Sequence, residues 1–245
     1  MIAKEAMNLS PVAETPQYAD QTAVSTSDLD VLLIFKDEMS EVETDVVWDL
    51  SDSASLLTPM FLDLEGMSES TVLQGDTRLK LASHFLYGED IRAQIPLPPI
   101  DAYVREWMHN HAIHFMMRVA RGQQDIQIPA TYPDPADEFF GYAKNPIEQK
   151  EDTKLLVAIV GQIATALVAL KTQSYIATKR ESVRQYQAHI NDEWTGLVTG
   201  IYEVCRNQWA YQIPSEPVQR SQLRAFCEQT LAFENHFLAI YRDYL

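Results

Sequence analysis

The sequence predicts an α+β protein: a small sheet plus helices in the N-terminal half, then an all-helical C-terminal half. Three observations carry this. A β-rich run at 31–35, Val31-Leu32-Leu33-Ile34-Phe35, is followed by a valine-rich stretch at 42–48. A hexapeptide, Ile95-Pro96-Leu97-Pro98-Pro99-Ile100, has to be extended, because proline lacks a backbone N–H and steers the residue before it out of the helical basin. From residue 146 almost to the end, apolar residues recur at helical spacing.

Residues 1–27, with Pro11, Pro16 and many Ser, Thr, Ala and Gln, follow neither the helical nor the strand period and are expected to form a flexible leader. Order is expected from about Asp28. The runs 31–35 and 42–48, the latter with Val42, Val46 and Val47, read as a hairpin across the polar turn 36–41. Residues 56–64 read as a helix capped by Thr58, with Pro59 at its first position and Gly66 ending it. Residues 67–94 resemble an insertion whose middle, 77–86, sets Leu79, Leu81, Ala82 and Phe85 near one side of a short helix.

The hexapeptide is expected as an edge strand or connector, since three missing or displaced donors exclude a central strand. It leads into a helix over 101–120, with Asp101 as N-cap and Val104, Trp107, Met108, His111, Ala112, Phe115 and Val119 on one face. A polar, proline-rich surface loop around 123–135 comes next. Helices are then expected over 153–178, 181–190, 194–209 and about 217–244. The last carries an apolar stripe of Leu223, Phe226, Cys227, Leu231, Phe237, Leu238 and Tyr241.

With 245 residues, 46% of them hydrophobic, the chain can bury a substantial core. Its formal net charge of −16, from 35 acidic and 19 basic residues, argues against a nucleic-acid partner and favours basic protein partners or simple solubility. Two cysteines, Cys205 and Cys227, suit a reducing compartment, and no signal peptide is read in the first residues, so the expected location is the cytoplasm or nucleus. The apolar stretch 155–170 is shorter than the roughly 20 residues a spanning helix needs and is interrupted by Gln162 and Thr165, so it reads as a buried core helix and not as a membrane span.

The motifs of catalysis are missing from the sequence. It holds no glycine-rich phosphate loop, G-x-S-x-G elbow, C-x-x-C pair or H-E-x-x-H, and its eight glycines are scattered. No catalytic, cofactor-binding or metal-binding residue is therefore assigned, and the protein is expected not to be an enzyme. His109, His111 and His114 are the nearest approach to a metal site. Helical residues two apart point to different sides, so at most His111 and His114 converge, short of the three or four ligands a metal needs. Asp134, Asp137 and Glu138 read as a solvated acidic loop, not as a pair of catalytic carboxylates.

The order of hairpin, helix, Pro-rich strand, helix, acidic loop and helical tail resembles the BTB/POZ fold, and more narrowly the Skp adaptor subunit of SCF-type cullin ubiquitin ligases. Residues 31–47 resemble that family's opening hairpin, and Met60-Phe61-Leu62-Asp63-Leu64 the end of its first helix. Ile95-Pro96-Leu97-Pro98 resembles its hydrophobic-Pro-Leu-Pro strand, Glu106-Trp107 and the following histidines the close of its next helix, and Asp137-Glu138-Phe139-Phe140 its acidic-aromatic segment. Val183-Arg184, the run Ile190-Asn191-Asp192-Glu193-Trp194-Thr195, and Asn207-Gln208-Trp209 resemble the helices that grip the F-box.

The resemblance implies a BTB/POZ-like domain over 28–165 with the insertion 67–94, F-box-binding helices over 166–210, and an extra amphipathic helix over 211–245. It implies an F-box-like partner held by Val183, Tyr186, Ile190, Trp194, Val204 and Trp209, and a cullin-facing surface that includes Ile95, Leu97, Ala158 and Ile159. The family's cullin-contacting Asn-Tyr pair falls at Ala158 and Ile159, so cullin binding is expected to be weak or lost. Insertion and tail are foreign to the family, and either can cover or replace a partner surface.

Two functions follow as expectations. One is a non-catalytic adaptor that binds an F-box-like helical segment, with Trp194 and Trp209 as aromatic anchors on short polar helices, or else as core residues. The alternative is a structural subunit of a larger viral or kinetochore-like assembly with a BTB-like fold. They differ in where the stripe on 217–244 is buried, on its own domain or on another chain.

Overall fold

The structure is a computed structural model that describes residues 9–14, 24, 29–37, 40, 42, 45, 47, 49, 62–145 and 150–245. It is α+β, and the chain divides into two compact units, Met1–Pro98 and Pro99–Leu245. That division falls inside the proline hexapeptide, within the stretch 28–165 that the sequence reading gives to one domain.

In the first unit, β1 (Leu9–Glu14), β2 (Leu29–Phe35), β3 (Leu62–Ser68) and β4 (His84–Tyr87) form one sheet in the order β3-β2-β1-β4. Strand β2 runs antiparallel to β1 and parallel to β3. Its alternation sends Ile34 to one face, against Val72, Leu79, Ile91 and Ile95. Leu33 and Phe35 go to the other, against Val47. Apolar packing on both faces explains why the run 31–35 has no polar residue.

Several expectations for this unit are corrected. Strand β2 is not half of a hairpin with 42–48: its partners are β1 and β3, and Val42, Asp45, Val47 and Asp49 are helical. A parallel pair cannot be closed by a tight turn and needs a crossover, which is where these residues lie. The adjacent Val46 and Val47 already break the alternation of a half-buried strand. The reading of 1–27 as a leader missed β1. Its Pro11 lies where β1 carries one extra residue against β2, between the pairs Leu9↔Phe35 and Val12↔Leu33, and a bulge is where a strand tolerates a missing donor. The helix read over 56–64 is overturned at 62–64, which belong to β3 as does Gly66; residues 56–61 lie outside the described residues.

Two short helices follow. In α1 (Glu69–Val72) the Ser68 hydroxyl accepts the Thr71 N–H, and in α2 (Thr77–Ala82) the Asp76 carboxylate accepts the Leu79 N–H at 2.8 Å. The helix expected at 77–86 thus exists over its first part, while Phe85 and Leu86 leave it for β4. Residues 95–99 of the hexapeptide belong to no strand and Ile100 opens the next helix, so the stretch is a connector and not an edge. Lys80 holds its start, with Nζ donating to the carbonyls of Arg92, Ala93 and Ile95.

The second unit begins with α3 (Ile100–Arg105), which continues as a π-helix, π1 (Glu106–Val119). Pro99 and not Asp101 is the N-cap; Asp101 sits in the first turn. The wider π turn moves the buried face to Met108, Ala112, Ile113, Met116 and Met117, in steps near four, and leaves Trp107, His111, Phe115 and Val119 half-buried on its flank.

A two-stranded ribbon of β5 (Lys144–Asn145) and β6 (Lys150–Glu151) precedes α4 (Lys154–Thr172). Helix α4 packs against π1, α5 (Lys179–His189), the π-helix π2 (Ile201–Gln208) that continues α6 (Thr195–Gly200), and α7 (Pro217–Tyr244). Long and apolar enough to cross a membrane by length and composition, α4 has 67% of its apolar window buried, as a core helix does. It stops short of the expected residue 178 because Gln173 takes a left-handed conformation, φ 52°, without the glycine that announces such a stop. Helix α7 matches its expected bounds, with Pro217 at its first position.

Candidate functional site

The segment that the resemblance assigns to a partner is α5, α6 and π2. Thr178 caps α5 by accepting the Glu181 N–H, while the Glu181 carboxylate accepts the Ala177 N–H at 2.8 Å, a reciprocal arrangement close to a capping box. The Thr165 hydroxyl of α4 donates to the Gly161 carbonyl and lies 2.8 Å from the Ser182 hydroxyl, fixing α5 on α4. At the corner between α5 and α6, the Asp192 carboxylate accepts the Tyr186 hydroxyl, 3.1 Å from each oxygen, and the Trp194 N–H at 3.0 Å. Burial, then the Asp192 charge, pushes the Tyr186 phenol well above its ordinary pKa.

The six expected partner residues part company here. Tyr186 is fully buried. Trp194 packs on Phe233 and His236 of α7, with ring centroids 5.5 Å and 5.7 Å apart, and Tyr186 meets Phe233 edge-on. The tail helix α7 therefore covers this part of the surface. Ile190, Val204 and Trp209 are half-buried, and the Trp209 N–H donates to the Val204 carbonyl at 2.9 Å to close π2.

Val183 does something else. It borders a small apolar cleft with Val157, Val160 and Ala164 of α4, and with Val198 and Ile201 opposite. The cleft has a free volume of about 20 Å³, and Gly161 also lines it. A Cβ added at Gly161 would meet no atom within 4 Å, so the missing side chain keeps the recess open.

The residues expected to face a cullin fall in both units. Ile95, buried, and Leu97, half-buried, belong to the first unit. Ala158, half-buried, and Ile159, fully buried, belong to α4 in the second.

The histidines face different neighbours. His109 is hydrogen-bonded through Nδ1 to the Tyr241 hydroxyl and stacks on that ring, whereas His111 lies 4.5 Å from the Trp107 ring and His114 meets Phe115 edge-on. Among the described residues, no three His, Cys, Asp or Glu side chains are placed to hold a metal. The acidic loop is paired. Lys144 Nζ lies 3.0 Å from Asp134 and 3.1 Å from Asp137, and Glu138 bonds Arg220 of α7. Burial alone would raise the Asp137 pKa, but the Phe139 N–H, Lys144 and the Gly141 N–H outweigh it and hold the carboxyl below its usual range.

The sequence reading missed the strongest polar feature of this unit. Glu234, fully buried in α7, accepts Arg121 Nη1 at 2.9 Å, Arg121 Nη2 at 2.5 Å and the Tyr142 hydroxyl at 2.5 Å. Burial lowers the Arg121 pKa, but the Glu234 oxygens more than offset that, so the guanidinium stays charged. Burial, and next the Glu234 charge, pushes the Tyr142 phenol far up. A signal was present: the spacing of Phe226, Thr230, Glu234 and Leu238 sets a carboxylate inside the apolar stripe, where it needs a cation.

No protein-family model matches the chain, and no curated protein matches it.

Proposed function

We propose that the protein is a non-catalytic adaptor of the Skp type, acting in the cytoplasm or nucleus, whose α5–α6–π2 segment docks an F-box-like helical segment of a partner. The observation that carries this reading is the open apolar cleft between α4, α5 and α6, bordered by Val183, which the resemblance independently assigns to partner binding. Taking one exposed aliphatic side chain out of water is worth about 1.5–3 kcal/mol, so a recess that receives its tip is a natural anchor point. With α7 over Trp194, docking is confined to the Val183 side of the segment. The scaffold reading draws on an α7 stripe left for another chain, whereas the stripe residues Leu223, Phe226, Cys227, Phe237, Leu238 and Tyr241 are buried within this chain and Leu231 is half-buried.

The test is titration calorimetry of the full chain against several F-box domains, beside the variant Gly161→Leu, which fills the cleft from α4. Binding by the wild type and its loss in Gly161→Leu is the expected result. A folded wild type that binds none of the F-box domains overturns the reading.

A further inference from the structure

The net charge of −16 is unevenly divided. Residues 1–98, the first unit, hold 18 of the 35 acidic and 5 of the 19 basic residues, a net charge of −13. Two of those five cations are already engaged: Lys80 donates to three backbone carbonyls, and Arg92 pairs with Asp90 at 2.6 Å and donates to the Ser83 carbonyl. Among the described residues, β4 lies at an edge of this unit's sheet, its backbone paired with β1 on one side and with no strand on the other. Edge strands are commonly blunted by a lysine or a proline, and His84-Phe85-Leu86-Tyr87 has neither. Leu86 and Tyr87 are 43% and 67% exposed, and Leu81, near the end of α2, 39%. These are three of the seven large apolar side chains exposed among the described residues, and they fall within seven positions, whereas the other four are scattered. The exposed Glu89 follows the strand two residues on.

Independently of where an F-box-like segment docks, we propose that β4 is the site at which a basic, extended segment of a partner protein adds a strand to the sheet, covering Leu86 and Tyr87 and bringing lysines or arginines to the acidic unit. Main-chain hydrogen bonds along the edge carry the affinity, and the exposed leucine and tyrosine give the added strand apolar partners. Charge decides the occupant. A unit with a net charge of −13 attracts a cationic segment and repels an acidic one, a second copy of this chain included. The phosphates of a nucleic acid are repelled for the same reason. Because β4 has only four residues, the added strand is short as well.

Three synthetic peptides test this, alike in an alternating row of valines and carrying Lys, Gln or Glu between them. Binding to the full chain is read by fluorescence anisotropy, and its place by the shifts and the hydrogen exchange of the amides of residues 84–87. The Lys peptide is expected to bind about tenfold more tightly than the Gln peptide, to weaken as salt rises and to protect those amides, with the Glu peptide weakest. Methylating every backbone nitrogen of the Lys peptide keeps its charge but removes its ladder donors and should abolish binding, which separates strand addition from attraction of charge alone. Leu86→Lys with Tyr87→Lys, both on the surface, should abolish it too. A methylated peptide that binds as tightly as its parent, amides of β4 that neither shift nor gain protection, or equal affinity for the Lys and Gln peptides overturns the proposal. So does a chain that sediments as a dimer and is returned to monomer by Leu86→Lys with Tyr87→Lys, because a second copy then occupies the edge.

Discussion

Arg121 and Glu234 form a bidentate ion pair with both side chains almost wholly out of solvent, joining the residues just after π1 to the middle of α7. Every N–H of the guanidinium is used: Nε donates to the Thr131 carbonyl, Nη1 to Met116 and Glu234, and Nη2 to Glu234 and the Tyr142 hydroxyl. One arginine thus ties together a helix end, the proline-rich loop and the tail helix, and a closed network of this kind fixes a single arrangement of all three.

Removing one partner leaves the other charge buried and uncompensated. Glu234→Ala is therefore expected to cost about 3–5 kcal/mol, whereas Arg121→Met with Glu234→Leu costs much less, because no orphaned charge remains. Urea unfolding of the single and double variants gives the comparison. A single variant that loses less than about 1 kcal/mol would show that water or another cation reaches the site.

The elements that were legible are those whose signal is local. Helix α7 announces itself through Pro217 and a long apolar stripe, and β2 through its unbroken run of Val, Leu, Ile and Phe. Strand β1 was hidden because Pro11, the strongest breaker in its sequence, sits at a bulge that only the pairing with β2 reveals. The face of π1 was misassigned because a 3.6-residue period was applied to a wider turn. Of the site, Val183 was reached through family resemblance. The cleft was not, because it depends on Gly161 of α4 lying beside α5, a juxtaposition that neither segment encodes alone.

Two glycines should respond oppositely to the same change. Gly161 is helical with open space at its Cβ position, so Gly161→Ala is expected to raise stability by about 0.5–1 kcal/mol. Gly141 has φ +84°, and a Cβ there would lie 2.8 Å from the Asp134 backbone nitrogen, so Gly141→Ala is expected to destabilise by more than about 1 kcal/mol. Thermal unfolding of the two variants decides it, and a stabilised Gly141→Ala would contradict the loop geometry around Asp137.

The buried thiols predict an alkaline weakness. Burial pushes Cys205 up to about 12 from an ordinary 9.0, and burial together with the nearby Cys205 pushes Cys227 up as well. Both folded values lie above the unfolded one, so the stabilisation is fully present below about pH 9 and is lost as pH rises toward the folded values. Between pH 9 and 10 the two thiols together should lower unfolding stability by about 2 kcal/mol, on top of a loss from buried phenols such as Tyr142 and Tyr186, which begin to ionise in the unfolded chain over the same range. Cys205→Ala with Cys227→Ala should flatten that slope whatever its effect on stability at pH 7. An equally steep slope in the double variant would assign the alkaline loss to other groups.

The adaptor reading also predicts weak or absent binding to a cullin. At the positions where the resembled family carries its cullin-contacting Asn-Tyr pair, α4 offers the half-buried methyl of Ala158 and an Ile159 with no exposed side chain. A hydrogen-bonding group and an aromatic ring are both missing from the contact, and losses of that kind cost about 2 kcal/mol or more at a hot spot, about thirtyfold in affinity. Titration calorimetry of the full chain against a cullin N-terminal fragment, with and without a bound F-box domain, should therefore detect no submicromolar complex. Submicromolar binding that Ala158→Glu abolishes would place a cullin on this part of α4 after all, and would show that the buried isoleucine and bare alanine are compensated by contacts elsewhere on the chain.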